Sequence, residues 1–278
     1  MTIMTDWTLH HTHPTAHGVV RWDRFGSGAP VVLLHGTPFS SYVWRDVARA
    51  LAATHQVHVW DMPGYGISEQ RDGQDVSLAA QTEVFVELLR VWDLAAPVVV
   101  GHDFGGAVAL RAHLLHGVDY RGLALVDAVA LAPWGSAFFR LVGENTRVFE
   151  ELPAHLHEAL VRAYVASAGH GTLPEPVLDA LVAPWLGERG QPAFYRQIAQ
   201  ADQRHTEEVR PRYGEIGLPV LVCWGEEDTW IPLERGRELA ALVPGARLRV
   251  LHGAGHLVQQ DAPAQLTAAL AEFLAALD

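Results

Sequence analysis

The stretch VVVGHDFGGAVAL, residues 98–110, passes from an unbroken β-branched run through small residues into a helix-forming segment. A continuous apolar run suits a strand buried on both faces of a parallel sheet, and the segment after it suits a helix packed on that sheet. Gly101, Gly105 and Gly106 permit a tight turn and close contact between the two. The side chain of Asp103 is then held out at the head of the helix, where the helix dipole favours negative charge. The order Gly101-His102-Asp103-Phe104-Gly105 is that of a nucleophile elbow, with aspartate where serine usually stands. Asp103 as a simple N-cap of helix 105–116 is the plainer alternative.

Outward from this stretch, apolar runs recur at 31–34, 56–61, 97–101, 121–127, 219–225 and 246–251. Helical patterns at 77–94, 105–116, 232–243 and 262–278 alternate with them, which predicts a doubly wound, mostly parallel α/β sheet. Two more alternating segments, near Trp7–His13 and Val19–Phe25, are expected to pair antiparallel at one edge. Between about Pro133 and Val209 helix-like stretches follow one another without a strand, so 133–209 is read as a helical cap inserted into a core formed by 1–132 and 210–278.

Two further segments supply partners for Asp103. VCWGEEDTWIP places Asp228 just after one buried run, and LHGAGHLVQQDAP places His256 just after the next. Gly253 and Gly255 free that loop to carry His256 over the carboxyl edge of the sheet, where open α/β sheets build their sites. Upstream, His35-Gly36-Thr37-Pro38 follows the first core run, so the backbone N–H groups of Thr37 and Phe104 are the expected oxyanion donors. His35 and His102 are expected to be structural hydrogen bonders. Asp228 is the favoured acid for His256, and Asp127, at the end of its own run, is the alternative.

With these motifs in place, the chain resembles the aspartate-nucleophile branch of the α/β-hydrolase superfamily, which includes epoxide hydrolases and haloalkane and haloacetate dehalogenases. The resemblance runs from HGTP through GHDFGG and GEED to GAGH. It implies an α/β-hydrolase fold and a hydrolase in which Asp103 forms a covalent alkyl ester that a His256-activated water then cleaves. A carboxylate needs no base to become a nucleophile, since its unperturbed pKa is about 3.9. No cofactor and no metal are implied.

The leaving group separates the substrate classes. Haloalkane dehalogenases that this chain resembles carry a Trp after the nucleophile, whereas the Phe104 side chain has no N–H to offer a halide. Trp134 or Trp185 from the cap is the substitute to consider, and either is equally a packing residue. Haloacetate dehalogenases hold an anionic substrate with arginines near the nucleophile. Here the nearest on that helix, Arg111, lies roughly 12 Å along the axis. Epoxide hydrolases donate a proton from cap tyrosines, and Tyr195 in PAFYRQI resembles one such site, with Tyr164 as a candidate partner. Epoxide opening to a diol therefore leads, with carbon–halogen hydrolysis as the alternative and a non-catalytic small-molecule binder behind both.

Composition bounds the rest. At 278 residues and 49% hydrophobic the chain supports one large core, and its formal charge of −12 opposes nucleic acid and anionic membranes. No run approaches the roughly 20 apolar residues of a membrane helix, and the N-terminus lacks a signal-peptide layout, so a cytoplasmic protein is expected. Its expected partners are a small uncharged organic substrate and water, with a homodimer left open. The lone Cys223 sits in an apolar run and is expected to be inert. His10, His11, His13 and His17 lack an acidic or cysteine companion at ligand spacing. How Phe138, Phe139, Leu141, Trp185 and Phe194 pack sets the pocket, which periodicity does not resolve.

Overall fold

The computed structural model describes residues 7–277. Eight strands form one sheet in the order β1-β2-β4-β3-β5-β6-β7-β8. They are β1 His11–Thr15, β2 Gly18–Phe25, β3 Pro30–Leu34, β4 Gln56–Asp61, β5 Val98–His102, β6 Gly122–Val126, β7 Val220–Gly225 and β8 Arg247–Leu251. β1 and β2 pair antiparallel, as do β2 and β4, and every later pairing is parallel. The central strands β3, β5, β6 and β7 are buried along almost their whole length, as their unbroken apolar runs require. β8 differs: as an edge strand it exposes Arg247 and Arg249 and buries Leu251.

β1 begins later than the alternation near Trp7–His13 suggests. The hairpin register pairs His11 with Trp22 and Thr15 with Gly18. Trp7 and His10 take side-chain partners instead of a ladder: Asp23 accepts from the His10 backbone N–H at 3.1 Å, and the Trp7 indole donates to Ser41 at 3.0 Å.

Core helices connect the parallel strands. Leu78–Val91 packs against Phe104–His116, and Arg45–Leu51 against Pro263–Ala275. Between β6 and β7 the described chain is wholly helical, with Ala137–Glu144, Thr146–Glu150, Ala154–Ala166, Glu175–Val182, Gly187–Ala199 and Arg204–Glu207 as its α-helices. A last 3-10 turn, Arg210–Glu215, feeds β7 and closes the stem of the excursion, with the Tyr213 hydroxyl donating to the Ala130 carbonyl at 2.7 Å. The insertion is latched to the core by the Trp185 indole N–H on Pro38 O at 2.6 Å and by the Leu257 N–H on Ala168 O at 3.0 Å. None of the described helices is long and apolar enough to cross a membrane.

Close approach governs the centre of this fold. A Cβ on Gly105 would lie 2.6 Å from the carbonyl oxygens of Leu34 and His35, and one on Gly106 would lie 2.5 Å from Ala128 Cβ. Backbone on that scale does not yield cheaply, so Gly105→Ala should destabilise the protein by about 1–3 kcal/mol. Gly143→Ala should do the opposite, because that glycine lies in a helix with nothing within 4 Å of its added methyl. Urea unfolding midpoints of the two variants should therefore move in opposite directions from wild type.

Candidate active site

The strand β5 ends in His102, the helix Phe104–His116 begins one residue later, and Asp103 makes the turn between them with φ 51° and ψ −119°. A non-glycine residue in that region is strained, and the surrounding packing holds it there. Asp103 stands at the N-cap position but its side chain caps nothing. Its Oδ1 instead accepts the Thr37 backbone N–H at 2.7 Å. The loop that carries Thr37 reaches so close because residue 36 is glycine: a Cβ there would lie 2.3 Å from Asp103 Cβ. Of the two anticipated oxyanion donors, only Thr37 bonds the Asp103 carboxylate among the described residues, while Phe104 lines the cavity with its ring.

His256 arrives from the loop after β8. Its Nε2 lies 3.5 Å from Asp103 Oδ2 and its Nδ1 lies 2.9 Å from Asp228 Oδ2. Asp228 is itself fixed, since its Oδ1 accepts the backbone N–H groups of Trp230 at 2.8 Å and Ile231 at 2.9 Å. Burial alone would lower the His256 pKa, but the charges of Asp228 and Asp103 outweigh it and hold the imidazole protonated well above its ordinary range.

Asp127 is not brought to His256 Nδ1. It is fully buried with φ 41°, its Oδ1 accepts the Gly225 N–H at 2.8 Å, and its charge would face that of Asp228. Burial, and then that neighbouring carboxylate, push the Asp127 carboxyl well above the usual carboxylate range.

A cavity of about 100 Å³ opens over Asp103. Val129, Trp134, Phe139, Tyr164 and Trp230 make most of its apolar wall, and no arginine or lysine lines it. Tyr164 faces this space, and its hydroxyl makes no hydrogen bond among the described residues. Burial and the Asp103 charge hold that hydroxyl protonated well above its ordinary range.

Tyr195 lies elsewhere: it is fully buried inside the helical insertion, with its hydroxyl 2.8 Å from His157 Nδ1. Because His157 Nε2 donates to the Trp185 carbonyl at 2.8 Å, Nδ1 is the acceptor and Tyr195 O–H the donor. The core-facing residue of that helix is Gln197, whose Oε1 receives the Thr37 and Tyr65 hydroxyls.

The tryptophans are equally committed. Trp185 is buried off the cavity on Pro38 O, and Trp134 lines the cavity but donates its N–H to Thr206 Oγ1 at 2.8 Å. Among the remaining aromatic candidates Phe194 is buried, Phe138 packs beside Tyr164 and Leu141 is exposed.

The other singled-out residues have structural partners. His35 Nε2 accepts from Met62 N at 2.9 Å and its Nδ1 donates to Gly36 O. His102 Nε2 donates to the His256 carbonyl at 2.9 Å, and burial, with the charge of His256, lowers its pKa to about 3. Arg111 turns away from the cavity to Thr82, His205 and Glu208. Burial pushes the Cys223 thiol up. At the N-terminal edge His10 and His11 share Asp23, while His13 and His17 pair with Glu87 and Glu83. Gln197 and Trp230 were not anticipated as site residues, and the one signal for Trp230 was its place two residues beyond Asp228.

The chain belongs to the α/β hydrolase fold family, whose pattern matches residues 29–263, and it is a hydrolase of that fold. An alpha/beta hydrolase fold protein from Burkholderia ambifaria is 46% identical and superposes with a TM-score of 0.93, covering 96% of this chain and 98% of that one. Epoxide hydrolase A of Mycobacterium tuberculosis is 29% identical over 300 residues, which cover 90% of this chain and 92% of its own length. A 2-hydroxy-6-oxononadienedioate/2-hydroxy-6-oxononatrienedioate hydrolase of Cupriavidus pinatubonensis is 24% identical over 258 residues, covering 90% of this chain and 88% of that protein.

The two acids should respond differently to amidation. Asp228→Asn removes the charge that faces His256 Nδ1 and should cut turnover by roughly 10⁴. Asp127→Asn leaves the Asp228–His256 contact in place and keeps an acceptor for Gly225 N–H, so turnover should fall by less than about tenfold. Steady-state rates of both purified variants, on any substrate the wild type turns over, decide the ranking.

Proposed function

We propose that the protein hydrolyses a small uncharged substrate by attack of the Asp103 carboxylate on an sp³ carbon, and that the bond it opens is that of an epoxide. The observation that carries this reading is the 2.7 Å hydrogen bond from Thr37 N to Asp103 Oδ1. In a serine hydrolase that donor serves an oxygen of the substrate. Here it is engaged by the nucleophile's own oxygen, so the carbonyl to be stabilised is that of an ester on Asp103. Oδ2, the oxygen near His256, is the one left to attack.

The proton balance follows. Oδ2 bonds to the epoxide carbon as the C–O bond breaks, and the nascent alkoxide takes a proton from the Tyr164 hydroxyl. Esterification removes the Asp103 charge that helped keep His256 protonated, so the imidazole gives up its proton, which restores the Tyr164 hydroxyl, and becomes available as a base. His256 then takes a proton from water, which attacks the ester carbonyl, and the oxyanion forms on Oδ1 against Thr37 N–H. Collapse of that intermediate releases the diol, whose new hydroxyl takes the remaining proton of the attacking water, and returns the Asp103 carboxylate facing a His256 protonated as at the start. Kinship with Epoxide hydrolase A of Mycobacterium tuberculosis agrees with this reading.

A halide is served less well. It needs N–H donors, yet the indoles of Trp134, Trp185 and Trp230 already donate to Thr206, Pro38 and Ser167. The cavity of about 100 Å³ without a cationic wall suits a compact neutral molecule.

Two experiments test this. Intact-protein and peptide mass spectrometry of His256→Gln, incubated with a chromogenic epoxide turned over by the wild type, should show the substrate's mass added to the peptide containing Asp103. Unmodified protein under those conditions would refute the covalent step. In single-turnover measurements Tyr164→Phe should slow esterification by an epoxide by roughly 10² to 10⁴ while leaving any reaction with an alkyl bromide far less changed. Tyr195→Phe should affect stability instead, by about 1–3 kcal/mol, because it strands a buried acceptor on His157.

A further inference from the structure

Trp230 follows Asp228 by two residues and touches the acid, the imidazole and the inserted helix that carries Tyr164. Its backbone N–H donates to Asp228 Oδ1 at 2.8 Å, so it helps orient the acid. Its indole stacks on the His256 imidazole with ring centroids 5.0 Å apart and planes inclined by 27°. Tyr164 stacks on the same indole at 4.6 Å and 21°. Tyr164 and His256 form no ring pair with each other, so the indole lies between them. Its Nε1 then donates to Ser167 Oγ at 3.1 Å, and Ser167 ends the helix Ala154–Ala166 that carries Tyr164. One turn of the inserted helices therefore grips Trp230 by a ring and a hydroxyl, while Trp230 covers one face of the imidazole.

We propose that Trp230 is a positioning residue that holds His256 face-on in its protonated state and makes that hold depend on the seating of the inserted helix through Tyr164. An indole has the chemistry for this. The negative face of its π system attracts an imidazolium more than a neutral imidazole, its area fixes the ring plane, and its N–H supplies the latch to Ser167. An aliphatic side chain of similar volume would fill the space without preferring either protonation state.

The other groups facing His256 are Asp103 at Nε2, Asp228 at Nδ1, neutral His102, whose ring centroid lies 4.8 Å away, and the Phe39 ring, tilted at 6.5 Å. Asp127 is close enough for its charge to act on both Asp228 and His256, and Tyr164 stacks on the indole and makes no ring pair with the imidazole. The two carboxylates set the main preference for the cation, and the stacked indole of Trp230, nearer and flatter on the imidazole than Phe39, adds to it. In turnover this matters when His256 takes the proton from water, a consequence that rests on the function proposed above.

The test reads the imidazole directly and needs no substrate. NMR titration of isotope-labelled His256 is made in an Asp103→Asn background, whose neutral side chain resembles the esterified state. Trp230→Leu should lower the His256 titration midpoint by roughly 0.4 to 1.5 pH units. Trp230→Phe, which keeps a π face, should recover at least half of that shift. Tyr164→Leu should move the midpoint in the same direction although it does not touch His256, and it should add nothing once Trp230 is leucine.

A midpoint unchanged in Trp230→Leu, or Phe and Leu behaving alike, would overturn the proposal, as would a Tyr164→Leu effect that persists without Trp230. Failure of the esterification reading would appear in the mass measurement on His256→Gln and would leave this titration as it is.

Discussion

Everything at the site depends on how closely three pieces of backbone approach one another at the head of β5. Asp103 has a positive φ, Gly36 leaves the gap its side chain occupies, and Gly105 sits against the carbonyls of Leu34 and His35. Each contact denies space to a methyl group. Together they fix the Asp103 carboxylate relative to the Thr37 N–H, so that one oxygen is occupied and the other faces His256. The position of the carboxylate is thus a property of the sheet's centre, the least deformable part of the molecule.

Around that fixed point the electrostatics are arranged in sequence. Asp228, held by two backbone amides, and Asp103 together keep a proton on His256 against the cost of burial. Burial and the neighbouring Asp228 disfavour a third charge on Asp127. An alkyl ester on Asp103 would erase one of the two charges and weaken the hold on the His256 proton. In the proposed cycle, a base available only after its partner has been esterified would protect the first step from interference by the second.

The sequence disclosed the parts of this arrangement that depend on local pattern. Continuous apolar runs located the inner strands, because burial on both faces removes alternation, and glycines around Asp103 located the elbow. Loop placement brought Asp228 and His256 to the same edge. What it could not disclose was rotation and depth within the helical insertion. Tyr195 and Gln197 are two residues apart on one helix, so their side chains point in nearly opposite directions. The tyrosine went to His157 and the glutamine to the hydroxyls of Thr37 and Tyr65. Likewise, Asp127 and Asp228 both end buried strands, and only the course of the chain after β7 decides which one meets the imidazole. β1 shifted for a comparable reason, since its early residues found side-chain partners that no alternation pattern encodes.

The insertion leaves the sheet after β6 and returns at β7, two strands that are already hydrogen-bonded neighbours, with Tyr213 fastened to Ala130 at the stem. Its length and internal packing are consequently decoupled from the register of the sheet. A helix added, lost or remodelled there would reshape the cavity roof while Asp103, Asp228 and His256 kept their coordinates. The architecture in this sense separates a fixed reaction centre from an exchangeable lining, and Trp230 is where the two are joined, so alterations to the Tyr164–Ser167 turn are the ones the reaction centre would register.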